Sequence, residues 1–319
     1  MIVTVTLNAA MDRTLLVPNF QLGQRHRASV GFASAGGKGL NVARALRNLG
    51  VPVVCTGLVG GRNGAQIVDD LTNDGILNDF VRIREESRTS VAVLDPISDQ
   101  YTEINEWGPQ VGDDELGTLR EKLAYLTQGA EFVVLAGSLP RGVDEGVYAE
   151  TIRELNRRGV RSALDAEGEP LRLGVRAEPH LVSPNVAEAE ALVGHEFNDE
   201  DDLASALDEI AGAGARNVLI TLETGCYALV REGGEEVRVR ARVPRLEAVS
   251  KIGAGDTLLA GFLAARVTGR DAEESVRAGV AAGAASVLEP GPGRLDGREL
   301  SRVSALVDVE PLDRVTQDA

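Results

Sequence analysis

Residues 250–262 read SKIGAGDTLLAGF, and the way this stretch folds decides how the chain around it is read. Gly253, Ala254 and Gly255 offer backbone N–H groups with almost no side chain over them, Asp256 follows, and an apolar helix is expected over 257–267. Unpaired N–H groups at a helix N-terminus form an anion cradle, because the first turn lacks intrahelical acceptors and the helix dipole adds positive potential there. A carboxylate beside such a cradle suits phosphoryl transfer: it accepts the proton of an attacking hydroxyl as the bond to phosphorus forms. The same aspartate would serve equally well as an N-cap, so on this stretch alone an ordinary capped turn is the alternative.

Outward from this turn, short β-branched runs alternate with helical patterns. Strands are expected at IVTVTL (2–7), VPVVCTGLVG (51–60), EFVVLAGS (131–138), VRSALDA (160–166) and NVLITL (217–222). Helices are expected at 40–50, 65–73, 147–159, 257–267 and 272–288. That alternation implies right-handed βαβ units and an α/β fold whose mostly parallel sheet is covered by helices on both faces. Ligands of such sheets sit beyond the C-terminal strand ends. Two excursions, 13–35 and 81–106, read as strands with little helix between them; they are expected to form one small antiparallel sheet, a lid, or else to extend the main sheet. No repeat or linker divides the chain, so residues 1–319 are expected to form a single domain.

Composition narrows the function classes. The net charge of −16 argues against nucleic acid as a partner, because phosphate backbones would be repelled. Only Lys38, Lys122 and Lys251 are lysines among 33 basic residues, a bias that fits either a high-salt cytoplasm or a GC-rich genome. Cys55 and Cys226, each in a strand-like context, imply a reducing interior rather than a disulfide framework. No signal peptide is visible and no run of roughly 18 apolar residues occurs, so a cytoplasmic protein with no membrane partner is expected. His26, His180 and His195 lack metal-ligand spacing and are read as structural, and the NDEDD run at 198–202 as a solvated helix start.

A second glycine cluster, AGGKGLNVARAL (35–46), opens another helix and carries Lys38 as a point charge. It is not a P-loop, since Gly39 stands where Ser or Thr would follow the lysine, and by itself it is as compatible with a structural turn as with a ligand site. Its weight comes from company. TLNAAMD (6–12), GGKGLNVARAL (36–46), SRTS (87–90), TEINEWGP (102–109), GSLPRGV (137–143), SPNVAEAEAL (183–192) and IGAGDTLLAGF (252–262) occur in that order. The series resembles the ribokinase-like, PfkB-type carbohydrate kinases over residues 1–295, most closely the branch acting on ketohexose phosphates.

The resemblance implies a three-layer α/β/α sandwich with a small β-sheet lid. It implies that Asp256 is the catalytic base, with Gly253, Ala254 and Gly255 forming the anion hole for the γ-phosphate. Asp12, Gly37, Lys38 and Asn41 match sugar-holding positions, and Arg88 matches the residue that grips the phosphate already on the sugar; otherwise Arg88 is a solvated strand arginine. Asn185 and Glu188 match an N-x-x-E element on the magnesium and phosphate side, where Glu188 acts through water; otherwise Glu188 is a first-turn helix acid. Thr221 and Gly225 fall in the nucleotide-binding turn. ATP and Mg2+ are the implied cofactors. An exposed edge or face on so small a lid can pair with its twin, so a homodimer through the lid is expected, with a monomer as the alternative.

Four positions depart from the family pattern. Ala9 replaces a proline, Ser183 replaces the lysine of K-P-N, Glu223 replaces the first glycine of the nucleotide turn, and Lys251 stands where a small hydroxyl residue is common. Lys251 is expected to restore part of the charge missing at 183 and to serve the nucleotide. The implied reaction is ATP-dependent phosphorylation of a ketohexose phosphate, fructose 1-phosphate to fructose 1,6-bisphosphate. Fructose 6-phosphate, tagatose 6-phosphate, an unphosphorylated sugar or a nucleoside are alternative substrates, and a non-catalytic sugar-phosphate sensor is the distant one.

Overall fold

Strand side chains alternate between two faces, and each face builds its own core. On Ile2–Thr6 (β1), Ile2 joins one apolar cluster while Val3 and Val5 join the other. On the later strand Phe132–Ala136, the residues Phe132, Val134 and Ala136 face the first cluster and Val133 and Leu135 the second. A sheet buried on both sides is the physical reason Phe132–Ala136 is apolar throughout rather than alternating, and in β1 even Thr4 and Thr6 are buried. The computed structural model of the chain describes residues 1–98 and 100–313. Asp99, inside the expected lid span, and residues 314–319 of the expected single domain lie outside the described residues.

After β1 come β2 (Ala10–Leu16), β3 (Val30–Gly36), α1 (Lys38–Asn48), β4 (Val53–Gly60), α2 (Gly61–Asn73), β5 (Leu77–Asn78), β6 (Val81–Ile83), β7 (Arg88–Asp95) and β8 (Gln100–Asn105). The middle of the chain holds α3 (Asp113–Leu126), β9 (Phe132–Ala136), α4 (Val147–Arg157), β10 (Arg161–Asp165), α5 (Gly168–Val175), β11 (Leu181–Val182), α6 (Val186–Val193) and α7 (Glu200–Gly212). It closes with β12 (Val218–Leu222), β13 (Gly225–Glu232), β14 (Glu235–Arg242), α8 (Ala254–Val267), α9 (Ala272–Ser286), α10 (Gly297–Ser304) and β15 (Asp308–Pro311).

The main sheet runs β15-β14-β13-β12-β11-β10-β9-β1-β4-β5, with β6 also on β4. It is parallel from β12 to β5 and antiparallel from β12 outward to β15. Side chains of α1, α2, α8, α9 and α10 fill the first core, and those of α3 to α7 the second, completing an α/β/α sandwich. The lid is a separate four-stranded sheet, β3-β2-β7-β8.

Three expectations change. The lid is not purely antiparallel: β2 and β7 pair in parallel, Ala10 opposite Arg88 through Leu16 opposite Leu94, because the chain crosses β4 and α2 between them. Residues 81–83 belong to the main sheet on β4, not the lid. And α8 begins at Ala254, so Asp256 lies inside the first turn and Gly253 is the N-cap, its φ of 76° a conformation glycine adopts without strain. The N-cap reading of Asp256 is thereby excluded, and its side chain is free for other partners.

The cradle helix is fixed from behind. A Cβ at Gly261 of α8 would lie 2.6 Å from Ala282 Cβ, and one at Gly283 of α9 would lie 3.0 Å from Ala254 O. Only glycine lets the two helices approach this closely, and that approach sets where the first turn of α8 points.

Candidate active site

Two helix N-termini converge beyond the C-terminal ends of β1 and β10. The first is that of α1, capped by Gly37 at φ 125°, where a Cβ would lie 2.9 Å from Thr6 Cγ2. The second is that of α8, and a Cβ at its cap Gly253 would lie 3.4 Å from Asn41 Nδ2. Asn41 on α1 donates from Nδ2 to Asp256 Oδ2 at 2.8 Å, joining the two helices at their mouths. Asp256 is only 6% exposed. Burial pushes its carboxyl up to about 7; the neighbouring Asp165 charge adds to this, while the Asn41 bond and the Lys38 charge oppose it.

Lys38, the first residue of α1, donates to Asp165 Oδ1 at 2.7 Å and to Glu188 Oε1 at 3.3 Å. Burial disfavours its charge, but the two carboxylates outweigh that and hold the ammonium charged. Asn185 caps α6 and accepts from Glu188 N, while Glu188 Oε2 accepts from Asn185 N, both at 2.9 Å, so N-x-x-E is a capping box. Burial raises the Glu188 carboxyl, against the pull of Lys38. One oxygen of Glu188 serves its own cap and the other serves Lys38, and each keeps a lone pair for a further partner. Mg2+ bound mostly by phosphate oxygens and water asks for no more than one or two such carboxylates. Glu188 and Asp165 fit that role, and among the described residues no group of three or more His, Cys, Asp or Glu is placed to hold an ion unaided.

On the lid side, strand register sets Asp12, Ser34, Ser90 and Asn105 abreast on one face. The Asp12 carboxylate lies where a Cβ at Gly36 would be, 1.9 Å from Oδ2, so that glycine makes its seat. Burial lifts Asp12 to about 6, with the Arg88 charge opposing. Arg88 donates from Nε to Asn8 O and from Nη1 to Asn105 Oδ1, each at 3.2 Å, and among the described residues no carboxylate lies within ion-pair distance. A guanidinium held by neutral oxygens keeps its charge and fork available to an anion.

Thr221, Gly225 and Lys251 line a cavity of about 180 Å³ whose wall includes Ala254 and Gly255 of the cradle. Leu222, Val243, Leu258 and Val280 supply apolar surface. Thr221 is bridged to Asn185, so the end of β12 and the capping box are neighbours. Gly225 has a structural reason of its own: a Cβ there would lie 1.9 Å from Ala241 O across the hairpin.

The expected residues therefore fall into three linked groups. Asp256 and Asn41 at the α8 N-terminus are linked through Asp165 to Lys38, Glu188 and Asn185; Asp12 and Arg88 stand on the smaller sheet; Thr221, Gly225 and Lys251 border the cavity. Lys38 and Asn41, expected at the sugar, are hydrogen-bonded to Asp165, Glu188 and Asp256. Sequence reading missed Asp165, although an acid closing a predicted strand was a usable signal. It also missed Arg44, one helical turn after Asn41, which is 6% exposed, donates to Asn41 Oδ1 at 3.5 Å and pairs with Asp74 at 2.9 Å.

The backbone donors, buried carboxylates and lysine at the two helix ends are chemically suited to phosphoryl transfer to a small polar acceptor. Residues 3–296 match the family described as pfkB family carbohydrate kinase. The chain is 35% identical over 289 residues to a 1-phosphofructokinase of Borreliella burgdorferi, covering 91% of this chain and 92% of that one. It is 35% identical over 315 residues to a 1-phosphofructokinase of Rhodobacter capsulatus, covering 98% and 99%. Among solved structures, phosphofructokinase-2 from Escherichia coli in complex with substrates and products superimposes with a TM-score of 0.88 at 28% identity, over 95% of this chain and 98% of that one. The chain belongs to the pfkB family of carbohydrate kinases, with the ribokinase-like fold of that family.

Proposed function

We propose that this kinase is a 1-phosphofructokinase: it transfers the γ-phosphoryl group of ATP to the free 6-hydroxyl of fructose 1-phosphate, giving fructose 1,6-bisphosphate and ADP. The observation that carries the reading is Asp256, a buried carboxylate in the first turn of the cradle helix, held by Asn41 at 2.8 Å. The names of the relatives support the choice of sugar.

In this reading the N–H groups of Gly253, Ala254 and Gly255 receive the γ-phosphate, and their fixed dipoles stabilise charge as it grows in the transition state. The sugar's hydroxyl attacks in line, the bond from the γ-phosphorus to the bridging oxygen breaks, and Asp256 takes the hydroxyl proton. Asp12 accepts from sugar hydroxyls and Arg88 grips the 1-phosphate. Thr221, Gly225 and Lys251 border the nucleoside. Mg2+, when bound with ATP, neutralises phosphate charge; Asp165 and, through water, Glu188 are the residues that would hold it, while Lys38 keeps both carboxylates in place. The lid excludes water, which would otherwise compete as the acceptor.

Val30, Phe32 and Tyr101 are exposed on the same lid face as Asp12. Apolar side chains gathered at the edge of a substrate face support a homodimer in which a second copy covers them. Both cysteines are free and buried and no described helix is long and apolar enough to cross a membrane, in keeping with a cytoplasmic enzyme.

A second reading, fructose 6-phosphate as acceptor, is supported by the likeness to phosphofructokinase-2. Coupled ADP release over a panel of fructose 1-phosphate, fructose 6-phosphate, tagatose 6-phosphate, free sugars and nucleosides decides between them. The highest kcat/KM should fall on fructose 1-phosphate; turnover on none of them would leave a sugar-phosphate sensor.

A further inference from the structure

Two departures from the family pattern, Glu223 and Lys251, meet in space. Lys251 Nζ donates to Glu223 Oε1 at 2.6 Å, and Arg245 Nη2 reaches the same oxygen at 3.1 Å. All three border the cavity that runs to Ala254 and Gly255, and they come from two segments: Glu223 from the β12–β13 turn, Arg245 and Lys251 from the connection between β14 and α8. One carboxylate thus ties the two loops at the cavity mouth together and pairs with both cations nearest to it.

We propose that Glu223 is a built-in competitor for the nucleotide's phosphates: it holds Lys251 and Arg245 until a nucleotide polyphosphate displaces it, and so sets nucleotide affinity. The inference rests on the nucleotide reading of this cavity. A tri- or diphosphate in the cradle brings negative charge beside the cations, and their attraction to it replaces their attraction to Glu223. The exchange is easy because the latch is weak: Lys251 is 65% and Glu223 51% exposed, and exposed ion pairs hold loosely and are screened by salt. The outcome is a site in which one carboxylate offsets part of the positive charge when empty and whose cations become available when nucleotide arrives. Lys251 then has a partner in both states, which a lysine beside an anion hole otherwise lacks.

The test measures ADP affinity by calorimetry and the KM for ATP in low-salt buffer, for the full chain and for Glu223→Gln, Lys251→Gln and the double variant. Glu223→Gln is expected to tighten ADP and lower the KM for ATP about threefold to fivefold, with the KM for the sugar phosphate unmoved. The gain should shrink toward nothing in 1 M KCl, where the screening length is only about 3 Å, and should be lost largely in the Lys251→Gln background. Wild-type binding of ADP with no gain in Glu223→Gln, or a gain that persists undiminished without Lys251, overturns the latch alone. No ADP binding by any folded form overturns the nucleotide reading together with it.

Discussion

Asn41 and Asp256, 215 positions apart in sequence, are joined by a 2.8 Å hydrogen bond between the first turns of two helices. Asn41 donates, so the bond favours the ionised carboxylate, the form that can accept a proton. Burial and Asp165 work in the opposite direction and win, leaving Asp256 titrating near 7. Catalysis should therefore fall as pH drops through that value, because the protonated fraction grows. Asn41→Ala removes a donor to the anion, raises the pKa further and should move the acid limb of the kcat profile upward by about one unit, one hydrogen bond's worth. A pH–rate profile checks this; an acid limb that stays put or moves down would contradict it.

Lys38 is the common partner of Asp165 and Glu188. Lys38→Met keeps much of the stem but strands both carboxylates. Breaking a buried pair by deleting one partner costs roughly 3 kcal/mol, the low end of the usual range being appropriate for a lysine that is 34% exposed. Urea unfolding should register that loss together with a large fall in kcat. Restored turnover in wild-type fashion would mean the lysine serves neither role.

Arg88 separates phosphorylated from plain sugars. Arg88→Gln should raise the KM for the sugar phosphate about 10- to 100-fold, the equivalent of roughly 1.5–3 kcal/mol for charge-assisted hydrogen bonds. Any weak turnover of free fructose should be unaffected, since that substrate offers the guanidinium no anion. Steady-state kinetics on both sugars distinguishes this from a general loss of folding, which would lower both.

The charge of −16 on 319 residues predicts a salt response. Self-repulsion among carboxylates opposes the compact state, and screening relieves it: the Debye length falls from about 10 Å at 0.1 M to about 3 Å at 1 M. The thermal midpoint should therefore rise between 0.1 and 2 M KCl. A flat or falling midpoint would point to genome composition as the source of the arginine-rich, lysine-poor bias.

Much of this was legible from local pattern. The strand–helix alternation points to the sandwich, because period and length are local properties, and IGAGD points to a helix N-terminus because glycine spacing is local too. What stayed hidden were relations across the fold. The 81–83 strand was grouped with the lid because three residues carry no mark of which sheet they join; only β4 decides it. The resemblance puts Lys38 and Asn41 at the sugar but says nothing of their partners in the fold, Asp165 and Asp256, which lie more than 120 positions away. Asn185 and Glu188 illustrate the opposite case: their spacing read as a metal-side motif, and it is equally a capping box. Glu223 and Lys251 looked like two unrelated departures until their 2.6 Å contact made them one.

The most direct test follows the phosphoryl group itself. Phosphorus NMR of the purified protein with ATP, Mg2+ and fructose 1-phosphate should show ADP and a second sugar phosphate at the 6-position accumulating together. Asp256→Asn, folded to the same melting behaviour, should slow that transfer about 10²- to 10⁴-fold, the share a positioned general base supplies. Transfer at undiminished rate by Asp256→Asn, or ADP formed without a sugar bisphosphate, would contradict the account.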